Sequence, residues 1–341
     1  MTAIEQIRQR MIPICGLLAE KRITLSGTTN LKSWLESPER LGNVADFSAV
    51  TREDVRGYEI VSWNLFDANS HVYGMTPEIS TVHFQLYFGD GGYRKNVSLT
   101  DPEIMRTLEN PDNHFYRFLA GHQDLRNYSV HLGFSSSDCG RHPVDGHFIP
   151  NSASSVLGKS DIEKFVISTL IALKTHGQSA GFKGQHLFEP LDFHQDKVDG
   201  INVSAYARVT DPDFIAEASE STGFGFLVDI AHTLISASNL GYRSGEKYLS
   251  GYLNSQNIGR VHELHLTVPH RQGREFFDQH QSFASTVGTY EQDQVFALIK
   301  FVLDLRKHSG QQGPLILNFE HDPQDWAQDC LILGNFLAAE A

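Results

Sequence analysis

The sequence predicts an α/β protein built as a (β/α)8 TIM-type barrel, least regular at its N-terminal end. Two observations carry that prediction. From about residue 160 onward, short apolar runs alternate with longer amphipathic stretches, the pattern of parallel strands joined by right-handed helical crossovers. Several of those runs also end in Asp, Glu or His, as strands do when they deliver functional side chains to the C-terminal mouth of a barrel. A doubly wound sheet is the runner-up, but no Gly-rich phosphate fingerprint follows an early strand. The 341 residues suit one domain, 1–341, in which 1–56 reads as a helical and irregular N-terminal extension.

Taken in order, residues 3–20 have the spacing of an amphipathic helix, with Ile4, Ile7 and Met11 on one side. Residues 22–56 are polar and mixed, with one short strand candidate at Arg22–Leu25. Glu59–Trp63 and Thr81–Phe88 read as strands, the second closed by the turn residues Gly89-Asp90-Gly91-Gly92. Asp101–Leu119 reads as a helix with Pro102 in its first turn. Tyr128–Phe134 is a strand that runs into a long loop, 135–155. Helices are then expected at 160–176, 212–221, 246–253, 291–308 and 325–339. They separate strands at Gln185–Glu189, Phe224–Asp229, Val261–Leu266 and Leu315–Glu320.

The formal charge of −13 and the lack of any long Lys/Arg cluster exclude the basic face that nucleic acid or an anionic membrane requires. A negative field suits divalent cations instead. Cys15, Cys139 and Cys330 are odd in number and far apart, which argues against a disulfide framework and fits a reducing, cytoplasmic setting. The charged N-terminal segment has no signal-peptide core, and no apolar run reaches membrane-spanning length.

Four strand-like runs end in metal-ligand residue types: Glu189, Asp229 with His232 just beyond, His265, and Glu320. Any one of them could be a helix cap or a satisfied core residue, but that explanation has to succeed four times over. Alternation in Val261–Thr267 puts Glu263 and His265 on one face, and in Leu315–Glu320 it puts Asn318 with Glu320. His265 and Glu320 can therefore point into the mouth, with Glu263 and Asn318 one layer below as supporting partners. Asp278-Gln279-His280 places two more donors on one face if that piece is extended. Carboxylates and imidazoles without thiolate suit iron, manganese, cobalt or zinc. The donors are too many for one catalytic zinc, which takes three and an open position. Two or more ions are expected.

In sequence order, Asp229-Ile230-Ala231-His232, Ser236-Ala237-Ser238-Asn239-Leu240-Gly241, Glu263-Leu264-His265-Leu266, Asp278-Gln279-His280 and Asn318-Phe319-Glu320 resemble the multinuclear non-haem iron-dependent oxidative enzymes (MNIOs). The likeness spans roughly residues 189–322, and more loosely from Tyr128. It implies a TIM barrel, two or three iron ions (Fe2+/Fe3+) at the mouth, and dioxygen-dependent modification of a residue, often a cysteine, in a ribosomally made peptide or a small thiol. It also implies a partner protein that holds the peptide's leader. Carried over by position, Glu189, Asp229, His232, His265, Asp278, His280 and Glu320 become iron ligands, with His131 as an upstream one. A second upstream histidine is expected from His83, His147 and His194. The chain departs from the family in having Pro190 after the first Glu, where Asn is usual.

The competing reading is a divalent-metal-dependent sugar isomerase or phosphoester hydrolase of the xylose-isomerase-like barrel type, which needs no oxygen. A non-catalytic binding module on a barrel with a structural metal is the third. The segment Val268–Phe277, with His270, Arg271 and Arg274, lies between ligand motifs and reads as a solvated loop first and as a holder for a substrate carboxylate second.

Overall fold

The computed structural model describes residues 1–29, 37–61, 79–84, 99, 114–122, 124–143, 146–273 and 275–340. Eight parallel strands close into a barrel. In chain order they are β1 (Ile23–Thr29), β2 (Arg56–Val61), β3 (Ile79–Phe84), β4 (Asn127–His131), β5 (Gln185–Glu189), β6 (Gly225–Asp229), β7 (Val261–Leu266) and β8 (Leu315–Phe319). Neighbours in sequence are neighbours in the sheet, and β1 pairs with β8 to close the ring. The described helices are α1 (Ala3–Glu20), α2 (Pro38–Val50), α3 (His114–Gly121), α4 (Lys159–Ser179), α5 (Pro212–Thr222), α6 (Ile230–Asn239), α7 (Gly245–Leu249), α8 (Tyr290–His308) and α9 (Trp326–Ala339).

The N-terminal end differs from expectation. Residues 23–29, which the sequence placed in a largely irregular extension with a strand candidate only at Arg22–Leu25, form the strand that closes the barrel. Its inward positions are Thr24, Ser26 and Thr28, and Gly27 follows Ile23 and Leu25 on the outer face, so the apolar signal stops after Leu25. Helix α2 was not legible either. Ser37 caps it and Pro38 starts it, while Phe47 and Val50 are buried. Gly27 is required where it stands. A Cβ there would lie 2.5 Å from the ring of Trp326, which packs edge-on against Phe47 with centroids 5.4 Å apart. That contact seats α2 and α9 on the closing strand.

Elsewhere the expected strands stand with small shifts at their ends. Residues 62–63, 85–92 and 101–113 lie outside the described residues, as do the parts of expected elements that fall on them. Two further differences concern the mouth. Asp229 ends β6 and at once caps α6, its Oδ1 accepting the backbone N–H of His232 at 2.7 Å. A helix that starts without a connecting loop carries few sequence signals. The second difference is that 268–281 is an antiparallel hairpin, Val268–Gln272 against Glu275–Gln281, rather than a loop. Its Arg271 lies over the rings of Phe276 and Tyr290, 5.7 and 5.5 Å from their centroids, and 3.8 Å from Glu291. Arg274 lies outside the described residues. No helix among the described residues is long and apolar enough to cross a membrane.

Candidate metal centre

The donors gather because parallel register puts them at one height. His131 pairs with Glu189 across β4 and β5, Asp229 with His265 across β6 and β7, and His265 with Asn318 across β7 and β8. His131, Glu189 and Asp229 are the last residues of their strands, and Glu320 follows β8 directly. All eight donors singled out in the sequence meet in one connected group.

One end of the group is His83, His131 and Glu189. The two Nε2 atoms lie 2.9 Å apart, and Glu189 Oε2 is 3.3 Å from His83 and 3.5 Å from His131. His83 Nδ1 is held by Ser129 Oγ at 2.7 Å. In the middle, Glu189, Asp229 and His265 bring donor atoms within 4.8 Å of one another. His265 Nδ1 lies 2.9 Å from Glu320 Oε2. At the outer end, Glu189 Oε1 is 3.0 Å from His232 Nδ1, His232 Nε2 is 3.4 Å from Asp278 Oδ2, and that oxygen is 3.1 Å from His280 Nε2. His280 has a φ of +46°, a conformation uncommon outside glycine, which turns its ring back toward Asp278. Asp329 fastens the hairpin's end by accepting the N–H groups of Phe283 and Ala284 at 3.0 and 2.8 Å.

Of the three candidates for the second upstream histidine, the structure brings His83 to the centre. His147 and His194 stack on each other with centroids 4.2 Å apart and face Asp196 and Asp192 instead. Glu263 and Asn318 lie below, as their strand positions require. Glu263 Oε2 accepts from Thr81 and Asn127 at 2.9 and 3.1 Å. Asn318 donates to Thr28 and Glu59 at 2.7 and 3.1 Å. Glu59 escaped the sequence reading. Its signal was a lone carboxylate in the otherwise apolar run Tyr58-Glu59-Ile60-Val61.

The electrostatics are those of an anionic cavity. Burial and the neighbouring carboxylates Glu189, Glu320 and Asp278 push the Asp229 carboxyl up to about 7, against the pull of His232. Burial and Glu59 raise Glu263 to about 8. Burial disfavours charge on His232 and His265, yet Asp229 and Glu59 respectively lead the carboxylates that hold them protonated well above the usual histidine range. His131 is the opposite case, lowered to about 3 chiefly by burial.

These residues fit metal ions. Glu189 Oε2, Asp229 Oδ2, His232 Nδ1 and Asp278 Oδ1 are buried without a hydrogen bond of proper geometry. Each would cost on the order of 1–3 kcal/mol if left so. His232 Nδ1 and Glu189 Oε1 are close, at 3.0 Å, but the angles are not those of a hydrogen bond, so proximity reflects donors aimed at a shared point. Two cis donors each about 2.1 Å from one octahedral ion stand roughly 3 Å apart, which is the spacing found along this group.

Comparisons with solved structures agree on the fold, and a curated relative matches a short part of the chain. No family model matches the chain. A UPF0276 protein from Caulobacter sp. (strain K31) is 41% identical over 66 residues, which is 18% of this chain and 23% of that protein's length. A D-tagatose 3-epimerase-like protein superposes with a TM-score of 0.56 at 17% identity, covering 93% of this chain and 97% of that one. A xylose isomerase-like TIM-barrel protein from Mycobacterium smegmatis, solved with magnesium, gives 0.54 at 11% identity, with 94% and 98% covered. Identities this low speak for a shared barrel alone.

Proposed function

We propose that this TIM-barrel protein is a multinuclear iron-dependent oxidase that uses dioxygen to modify a residue, often a cysteine, of a ribosomally made peptide or a small thiol. The observation that carries the reading is Glu189, whose two oxygens face two different sets of imidazoles, His83 with His131 on one side and His232 on the other. A carboxylate so placed suits a cluster rather than one ion. The partial likeness to a UPF0276 protein supports it, since that designation covers the MNIO family.

In this reading His83, His131, Glu189, Asp229, His232, His265, Asp278, His280 and Glu320 hold two or three irons. Iron, when bound, supplies Lewis acidity and a redox centre for dioxygen. The chain's own residues do the rest. Glu59, held by Thr28 and Asn318, fixes His265 from beneath, and Glu263, held by Thr81 and Asn127, lies in the same buried layer. His280 is the ligand most open to solvent, with 42% of its side chain exposed, so the substrate approaches on that side of the hairpin. A peptide substrate, with a second protein holding its leader, is part of the proposal. So is the absence of nucleic-acid and membrane partners, and a cytoplasmic setting.

The test is oxygen uptake by anaerobically purified, iron-loaded protein with thiol-containing peptides. Iron-dependent uptake with a modified cysteine supports the oxidase. Turnover of sugars or phosphoesters with manganese or magnesium in the absence of oxygen would replace it by the isomerase or hydrolase reading.

A further inference from the structure

Glu59 sits in the middle of β2, fully buried, with its two oxygens in different surroundings. Oε1 accepts from Thr28 Oγ1 at 2.7 Å and from Asn318 Nδ2 at 3.1 Å. Thr28 Oγ1 in turn accepts from the same amide nitrogen at 2.7 Å, so both donors around Oε1 are fixed in direction. Oε2 lies 2.9 Å from His265 Nε2. The other ring nitrogen, Nδ1, faces Glu320 Oε2 at 2.9 Å in the mouth. His265 therefore stands between a carboxylate on the floor and a carboxylate at the rim. Glu263 does not compete for Nε2, since its nearest oxygen is 4.0 Å away, beyond hydrogen-bond reach.

We propose that Glu59 is a positioning residue that holds the His265 proton on Nε2 and thereby leaves Nδ1 free as a metal donor beside Glu320. This rests on the reading of His265 and Glu320 as ligands given above. The reason lies in what a carboxylate can do. It is acceptor-only, so Oε2 can receive an N–H but cannot offer one. A neutral imidazole has one N–H and one lone pair, and the partner at one nitrogen decides which nitrogen keeps the lone pair.

The isosteric variant Glu59→Gln turns this into a sharp test. Thr28 and Asn318 both donate toward the Oε1 position, so the new amide must place its oxygen there. Its NH2 then faces His265 Nε2 and donates to it. The proton moves to Nδ1, and the donor facing the mouth is blocked. Side-chain volume is unchanged, so a role in packing alone predicts no effect.

The experiment uses the full chain, titrated with zinc(II) by calorimetry. Nitrogen–proton correlation spectra of 15N-histidine-labelled protein report which ring nitrogen of His265 carries hydrogen. In wild type, the zinc-loaded ring should carry hydrogen on Nε2 and metal on Nδ1. In Glu59→Gln, zinc at this ring should bind on the order of 10- to 100-fold more weakly, with the proton on Nδ1 and an unchanged circular dichroism spectrum. Glu59→Ala, which removes the acceptor without imposing a donor, should lose less. Wild-type affinity in Glu59→Gln would overturn the proposal. So would weakened binding with the His265 proton still on Nε2, because Glu59 would then act as a ligand or a charge. If Glu59→Ala fails to fold, Glu59→Gln alone decides. A wild-type chain that takes up neither zinc nor iron would sink the proposed function, and this inference with it.

Discussion

Glu189 Oε1 stands 3.0 Å from His232 Nδ1 while Glu189 Oε2, on the same carboxylate, has turned away toward His83 and His131. The two ends of the donor group meet at this one side chain. Replacing it should therefore remove more than one ion. Iron analysis of Glu189→Ala should show a loss of about two ions per chain, against about one for a variant at the edge of the group. Equal losses would mean that Glu189 serves a single ion.

The edge variants are Asp278→Asn and His280→Ala. Both residues lie on the hairpin outside the barrel ring, and the His280 side chain is 42% exposed. In metal-free protein the stability should change by no more than about 0.5–1 kcal/mol, as expected for sites away from the core. Metal per chain should fall by one ion, and oxygen-dependent turnover should collapse. Normal iron loading in both variants would show that these side chains are not ligands.

Chelation should destabilise the wild-type chain. Ions present at a hundredfold excess over their dissociation constant contribute about 2.7 kcal/mol for each independent site. Removing them leaves Glu189, Asp229 and Glu320 facing one another, which already raises Asp229. The thermal midpoint should drop by several degrees with a chelator and return when iron(II) is restored anaerobically. An unchanged midpoint would argue against a loaded centre.

Acid should weaken the fold through two histidines outside the centre. His186 and His262 are each lowered to about 4, chiefly by burial, with Lys174 and Arg306 adding to it. In the unfolded chain both titrate near 6.5, so between about pH 6.5 and 4 the unfolded state binds more protons than the folded one. Stability then falls as pH is lowered through that window and levels off for these groups below it. Urea unfolding of metal-free protein should show a flatter slope over this range in the His186→Gln/His262→Gln double variant. The same slope in both proteins would falsify the assignment.

With a net charge of −13, gel-shift titrations against DNA or RNA at physiological salt should show no tight, salt-sensitive binding. A basic surface would be needed to release the counterions on which such binding depends.

The second half of the barrel was legible because three of its four strands are apolar runs followed by or ending in one carboxylate, and the fourth, Val261–Leu266, carries His and Glu among apolar residues. Leu187-Phe188-Glu189 and Leu227-Val228-Asp229 are examples. The same contrast exposed the ligands. The first half was harder to read for a physical reason. Its inward positions are Ser26, Thr28, Glu59, Thr81 and His83, a polar lining that removes the hydrophobic alternation while satisfying the carboxylates. Glu59 was missed because its importance lies in a contact with His265, some two hundred residues away, which neighbouring sequence does not report. His83 could not be chosen over His147 and His194 until register placed it beside His131.

Closure of β1 against β8 means that the first and last strands of the barrel are partners. Glu320 follows directly on that last strand, and Thr28, on the first, helps to hold Glu59. A nascent chain can thus have made seven of the eight strands and still lack both the edge that closes the ring and Glu320 until the segment from Leu315 is made. Under the proposed function, filling of the whole donor group is then a late step, and a chain cut before Leu315 should hold fewer ions than the full one.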